Sequence, residues 1–542
     1  MTTLELDVPT TDETDAPPAL SSGRRTTVLI AMCLALVMVV AGVTMLVNAL
    51  SLIAEDLELS QARQSWVVDA YALPFAALLM IAGALGDRYG RRGALLTGTV
   101  IFGVGSVLSA LATSGGELLA FRAITGVGAA LIMPGTLSTI TSVFPEDRRA
   151  RAVGIWSGFA MAGGTLGMLG SGLLLQHYWW GSVFVVAALL AVVAFAVIAL
   201  AVPSTRSSEH VSLDPGGTVL SALAVAAVVF GVIEGPEQGW TSLLTLGSIG
   251  VGLLAAAAFV LYELKVDRPL LDPRLFRLRG FGTGSAALLI MFLAAFGFFL
   301  VSMQFLQLIL GYSPLKAAVA LLPQMLVMIP LATFAASLSM RVGQRRLTTL
   351  GLVVGAVGMA SFVTLDAHSS YWQFLPCMLL VFVGIGLAMT PATTAIVNSL
   401  PVAKQGVASA VNDTAREVGG ALGVAVLGSA FNTAYRSGIT EHLGGLSSGD
   451  AEGAREAPAI AFRIARGLGA EGNRLTVATQ NAFESGLRAA VLISATLFAL
   501  AAVYTWWRGQ DAAPAPETDD DLDVEAELLA QTSGLALEPA TS

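Results

Sequence analysis

Apolar residues in this chain neither alternate with polar ones nor mark a narrow helical stripe. They run in nearly unbroken stretches of about twenty, and such a stretch crosses roughly 30 Å of hydrocarbon as an α-helix. Fourteen stretches can be read: Thr27–Leu50, Trp66–Leu85, Ala94–Thr113, Leu118–Ile140, Ala152–Leu174, Trp180–Val202, Pro215–Ile233, Ser242–Glu263, Phe281–Leu308, Leu315–Leu338, Leu347–Leu365, Tyr371–Thr393, Val407–Phe431 and Ser485–Trp507. The predicted fold class is an all-α membrane protein. An even number of crossings places both ends of the chain on one side.

The short polar loops indicate which side. Arg24 and Arg25, then Arg88, Arg91 and Arg92, Arg148, Arg149 and Arg151, Lys265, Arg268, Arg274, Arg277 and Arg279, and Arg341, Arg345 and Arg346 all fall on the side of the termini. The opposite short loops offer only Arg63 and Lys316. Basic residues collect on the cytoplasmic side, so both termini are expected there. The tryptophans, Trp66, Trp156, Trp179, Trp180, Trp240, Trp372, Trp506 and Trp507, all read as lying near span ends, where the indole ring is favoured. One outer loop is long, about 432–484. Its Gly/Ser/Ala-rich part, Gly444–Gly453, is expected to be flexible, and the stretch from Ala459 onward to form a surface helix.

Composition agrees with this picture. Of 542 residues, 55% are hydrophobic and only 12% charged, and mean hydropathy is +0.75. Soluble domains carry roughly 25% charged residues, which a chain this apolar cannot supply for a wetted surface. The net charge of −9 collects in two aromatic-poor tails, 1–22 and 508–542, which read as disordered and solvated. It therefore gives no footprint for nucleic acid. Cys33 and Cys377 both lie in apolar runs and read as small buried hydrophobes. No metal-ligand spacing is present. Thr27–Leu50 is too long for a signal-peptide core and is not followed by a small-residue cleavage site.

The chain also repeats itself. Gly83-Ala-Leu-Gly-Asp87-Arg88-Tyr-Gly90-Arg91-Arg92 has a worn counterpart at Met340-Arg341-Val-Gly343-Gln-Arg345-Arg346, each after the second span of a six-span block. The expected organisation is an N-terminal six-helix bundle at 23–202, two inserted transmembrane helices at 203–267, and a C-terminal six-helix bundle at 268–507. Two related halves around a central site are a recurring transporter plan.

The Gly83–Arg92 loop closely resembles motif A of the major facilitator superfamily. Leu118 to Ala130, with Arg122, Gly126 and Gly128, resembles motif B. Trp66–Leu73, Ile233–Trp240, Gln304–Gln307 with Leu310–Pro314, and Asn412–Gly420 look like the fourteen-span drug:proton antiporters of the EmrB/QacA type. This resemblance implies a major facilitator fold and a gating role for Gly83, Asp87, Arg88, Gly90, Arg91 and Arg92. It also implies alternating-access export of amphipathic small molecules in exchange for protons. Two departures stand out. Span one has Val39–Met45 where the branch usually carries an Asp, and span five reads Gly167-Met-Leu-Gly170-Ser-Gly172 without the Pro of the antiporter motif. Glycines 163, 164, 167, 170 and 172 still leave a smooth face for close helix approach.

Ionisable groups inside spans are expensive, and hence informative. Asp69 and Arg122 lie about one turn in from the outer surface, and an ion pair between them is the favoured seat of the coupling proton. Asp413, Arg416 and Glu417 share one face of span thirteen, since spacings of three and four are neighbours on a helix. Two acids and one base leave a spare carboxyl there. Asn48, Gln304 and Gln307 are neutral candidates for the substrate cavity, and Glu234 and Glu237 are expected to face water at an outer turn. None of the three lysines follows a glycine as a phosphate-binding loop requires, and none of the four histidines starts a zinc-protease helix motif, so no enzyme and no cofactor are expected. The expected partners are the bilayer, a small amphipathic substrate and protons, with a monomer in a bacterial inner membrane. The excess of Arg over Lys points to a GC-rich genome. Competing readings are an importer or facilitator on the same fold, and a non-transporting membrane sensor.

Overall fold

The computed structural model describes residues 21–57, 59, 61–203, 214–266, 269–400 and 404–509. The two acidic tails fall almost wholly outside the described residues, as does Arg268. No strand occurs among the described residues. The helices are α1 (Ser22–Asp56), α2 (Gln61–Tyr89), α3 (Arg91–Ala110), α4 (Gly115–Val143), α5 (Glu146–Leu174), α6 (Ser182–Ala201), α7 (Pro215–Gln238), α8 (Leu243–Glu263), α9 (Arg279–Gln304), α10 (Pro314–Ala320), α11 (Leu322–Val342), α12 (Gln344–Ser361), α13 (Tyr371–Asn398), α14 (Gln405–Thr440), α15 (Ser448–Glu456), α16 (Pro458–Gly467) and α17 (Asn473–Arg508). Fourteen helical stretches are long and apolar enough to cross a membrane, matching the fourteen read from the sequence.

Hydrocarbon offers no partner for a bare backbone amide, so every crossing must close its hydrogen bonds internally. Local signals set several of the ends. Ser114 accepts from the Glu117 amide at the start of α4, Asp214 from Gly216 at α7, and Ser242 from Thr245 at α8. Ser370 and Gln373 form a reciprocal capping box at α13. The stretch Leu315–Leu338, expected as one helix, is divided at Leu321 into α10 and α11, with Pro323 in the first turn of α11, where its missing N–H is harmless.

The internal repeat becomes visible in packing. In the first half α1 lies on α5, α2 on α4, α3 on α4 and α6. In the second half α9 lies on α14, α11 on α13, α12 on α13 and α17. The two halves meet through α5 against α11 and α2 against α14. These are equivalent pairs under the repeat, so the seam has pseudo-two-fold symmetry. The hairpins α2–α3 and α11–α12 turn on Gly90 (φ 106°) and Gly343 (φ 98°). Positive φ at both, a region that favours glycine, gives the worn sequence repeat a shared backbone cause. The inserted pair α7–α8 packs through α7 on both α2 and α14, across one edge of the seam.

Three expectations are corrected. First, Trp156 is no interfacial anchor: it is fully buried about 15 Å along α5, at 1.5 Å per residue, with its Nε1 donating to Thr136 Oγ1 at 3.0 Å. Second, in the long loop before α17 the helix expected from Ala459 onward is present as α16, but the Gly444–Gly453 part is not loose throughout, since α15 begins at Ser448. α14 and α17, 36 residues each, outrun the bilayer, and α15 and α16 pack at their ends with Ala454, Ala461 and Ala465 buried and the Tyr435 hydroxyl on the Ala454 carbonyl at 2.8 Å. Small buried side chains let these elements approach, so the Gly/Ser/Ala-rich stretch folds instead of remaining loose. Third, Glu234 sits inside α7, 5% exposed, because α7 continues beyond Ile233 and keeps that residue on its packed face. The Glu237 side chain lies outside what is described.

Candidate functional site

On the side of the termini the two halves are joined by the motif around Asp87. Gly83 has no side chain because α14 leaves no room: a Cβ there would lie 2.6 Å from the Gly406 carbonyl oxygen and 2.8 Å from Ala410 Cβ. That close approach brings the buried Asp87 carboxylate to the first turn of α14, where Oδ2 accepts from the Gly406 amide at 2.8 Å. A helix N-terminus presents unsatisfied N–H groups and positive dipole charge, so a carboxylate is favoured there. Oδ1 accepts twice from Arg91, from Nε at 3.1 Å and Nη2 at 3.0 Å. Arg91 Nη1 continues to the Ser138 carbonyl on α4 at 3.2 Å, and Arg92 reaches the Ala199 carbonyl on α6. Of the motif's charged residues, Arg88 is exposed.

About 12–18 Å further along α14, roughly mid-bilayer depth, lies the second site. Asp413 is fully buried, and Arg416 is 3% exposed with Nη1 3.6 Å from Asp413 Oδ1. The Arg416 guanidinium stacks on Trp156 of α5 at 5.2 Å and on Phe292 of α9 at 4.7 Å. A buried guanidinium gains from such aromatic faces where water is excluded. Asn412 Nδ2 donates to Asp413 Oδ1 at 3.0 Å. Asp413 Oδ2, Arg416 Nε and Nη1 have no hydrogen-bond partner, so the cluster is incompletely satisfied at the seam between halves. Glu417, half-buried, completes the predicted face.

Tyr71 is the link that the sequence reading missed. It is fully buried, donates to the Val39 carbonyl of α1 at 3.1 Å, and lies under the guanidinium of Arg122 at 4.5 Å. Arg122 Nε donates to the Val67 carbonyl at 3.2 Å. Val67 and Tyr71 are four apart and share a face of α2. Asp69, two residues from each, projects about 160° away from that face at 100° per residue. The expected Asp69–Arg122 ion pair is therefore corrected: Arg122 is held by a carbonyl and an aromatic ring, and no salt bridge joins it to Asp69. A helical wheel was the available signal, because it separates positions two apart.

The neutral candidates fall in two places. Asn48 donates to the Met168 carbonyl and to Ser171 Oγ, both at 3.0 Å, bracing α1 to α5. Of the α5 glycines, Gly163, Gly164 and Gly167 lie against α1, where a Cβ on Gly163 would press Val40 at 3.2 Å and one on Gly167 would meet the Ala41 backbone at 2.8 Å; Gly170 faces open space and Gly172 faces Leu315 instead. Gln304 ends α9, and Gln307 sits in the π-helical turn Phe305–Ile309 that follows. Such turns widen a helix locally and expose backbone groups, often at functional sites.

Two pseudo-symmetric six-helix bundles, latched at one side and sharing a buried charge cluster at their seam, define a membrane transporter of the two-halves kind. A profile of the Major Facilitator Superfamily matches residues 32–424. The multidrug efflux pump LfrA of Mycolicibacterium smegmatis is 35% identical over 461 residues, covering 85% of this chain and 91% of that protein. The tetracenomycin C resistance and export protein of Streptomyces glaucescens is 33% identical, covering 75% and 76%. Among solved structures, the human organic anion transporter MFSD10 superposes with a TM-score of 0.60 at 15% identity, over 90% of this chain and 100% of that one; at that identity the likeness speaks for the fold. The chain belongs to the Major Facilitator Superfamily and is a multi-pass membrane transporter of small molecules.

Proposed function

We propose that the protein exports amphipathic small molecules of the drug or antibiotic kind, in exchange for protons, by alternating access between the Asp87-latched state and one open on the side of the termini. That side is taken as the cytoplasm from its excess of arginine. The relatives named above, a multidrug efflux pump and an antibiotic export protein, support the cargo class. The observation that carries the coupling is the buried, incompletely satisfied Asp413–Arg416–Glu417 cluster at the seam.

The proton carrier is assigned to that cluster in preference to Asp69. Two carboxyls share one guanidinium, so a proton on either leaves a neutral site, and its departure leaves a net negative one. Burial makes that difference matter. Trp156 and Phe292, against which the Arg416 guanidinium lies, carry the change to α5 and α9. The Gln304–Gln307 turn, on the far side from the latch, is the proposed polar contact for substrate.

The test is dye transport in inside-out vesicles energised by a proton gradient. Gradient-dependent accumulation of a fluorescent cation such as ethidium, collapsed by a protonophore, is the expected result. Efflux from the same vesicles down the gradient would instead make the protein an importer. Gradient-independent equilibration would remove the coupling.

A further inference from the structure

The inserted helices α7 and α8 carry an acidic site that plays no part in the transport chemistry above. Asp214 caps α7: its Oδ1 accepts from the Gly216 amide at 3.0 Å and from the Tyr262 hydroxyl at 3.0 Å. Its other oxygen, Oδ2, has no partner. Glu263, the last residue of α8, is 2% exposed, and neither of its carboxylate oxygens has a hydrogen-bond partner. The amides of Leu270 and Leu271 are close enough to act on it electrostatically, without closing a hydrogen bond. Neither acid is in an ion pair with a described residue.

These oxygens converge. A Cβ on Gly217 would collide with Glu263 Oε1 and, at 2.5 Å, with Asp214 Oδ2, so both carboxylates press against this glycine. A glycine at this position lets the end of α8 close on the start of α7. Two carboxylate oxygens without a donor, one from each helix end, thus face one another across this position, close enough for the two carboxyls to interact directly. Two buried carboxylates cannot both stay ionised side by side without compensating positive charge. All-oxygen donors are the preference of hard cations, and Mg²⁺ in particular is commonly held by one or two carboxylates.

We propose that Asp214 and Glu263 bind one divalent, oxygen-preferring cation, which ties the start of α7 to the end of α8. Because the chain between Glu263 and α9 passes Leu270 and Leu271, both buried, such a cation also fixes where the inserted pair hands over to the second bundle.

The experiment uses full-length protein purified in detergent and stripped with a chelator. Mn²⁺ is the probe, its free concentration read by electron paramagnetic resonance. One saturable Mn²⁺ per chain is expected, displaced by excess Mg²⁺ and lost in both Asp214→Asn and Glu263→Gln. In parallel, Mn²⁺ should raise the thermal midpoint of the wild type and leave that of Glu263→Gln unmoved. In chelator Glu263→Gln should melt no lower than wild type, since it removes a buried charge, so loss of binding there cannot be blamed on unfolding. Absence of saturable binding by the wild type overturns the proposal, as does binding retained in both variants. So does a wild-type midpoint that rises with acidification in chelator but not with Mn²⁺, which would assign the compensating charge to a proton.

Discussion

Replacing Asp87 with asparagine should unlatch the side of the termini without touching the substrate path. The structure allows the size of the effect to be worked out. The Asp87–Arg91 bonds join neighbouring turns of the same half, so they persist when the halves separate and their loss largely cancels between states. Across the seam, Asp87 accepts from the Gly406 amide, and the Val407 amide adds a weaker contact. A hydrogen bond to a charged group contributes roughly 1.5–3 kcal/mol net, and an asparagine oxygen recovers the smaller neutral share. The differential loss is then about 1 kcal/mol, which corresponds to about a 5-fold shift toward the unlatched state at roughly 1.4 kcal/mol per decade. Spin labels at Tyr89→Cys and Lys404→Cys, both exposed and flanking the contact, would read the separation of α2 from α14 in a background lacking Cys33 and Cys377. The expected result is a population moved from a short to a long distance, with slowed transport, normal expression and nearly unchanged substrate affinity. An unchanged distance distribution together with an unchanged transport rate would refute the latch.

Gly83→Ala should produce the same long-distance population by steric means, because its Cβ would fall 2.6 Å from the Gly406 oxygen; retained closure would show that α14 can give way. Asp413→Asn or Glu417→Gln should abolish gradient-driven efflux while preserving downhill exchange, and Asp69→Asn should keep most of the drive. The reverse pattern returns the proton to α2. Trp156→Phe removes the bond to Thr136 and weakens the stacking on Arg416, which together should destabilise by about 1–2 kcal/mol, measurable as a lowered thermal midpoint; an unchanged midpoint would make the stacking incidental. A protease added to intact cells should cut near the Gly444–Gly445 turn and spare both tails, and cleavage of either tail would overturn the assigned orientation.

The fourteen crossings were legible because hydrocarbon imposes a length and a composition on each, and the latch because its Gly, Asp and Arg spacing resembles a family motif. Contacts between elements distant in the chain were not. Trp156 reads as an anchor from its place near a span end, and only the packing of α5 on α11 and α14 beside α9 turns it into a seat for Arg416. Tyr71 gives no signal in an apolar run, yet it occupies the place next to Arg122 that Asp69 was expected to fill. The Gly444–Gly453 stretch looked loose because small residues serve flexible linkers and tight helix contacts alike, and composition cannot separate the two, whereas the helix expected from Ala459 onward is α16. Glu234 was misread for a simpler reason, that α7 runs one turn further than its apolar core.

Helix α14 is a single rod of 36 residues, about 54 Å at 1.5 Å per residue. Its first turn is held by Asp87, its middle holds Asp413, Arg416 and Glu417, and its last turns carry the Tyr435 contact to the helical cap on the side away from the termini. A stiff rod cannot pivot at one end and stay still at the other. Under the proposed gating, the exposed cap is a handle on the far side of the membrane: a nanobody that clamps α15 to the ends of α14 and α17 would hold the opposite face shut, and so act as an inhibitor that never enters the drug path.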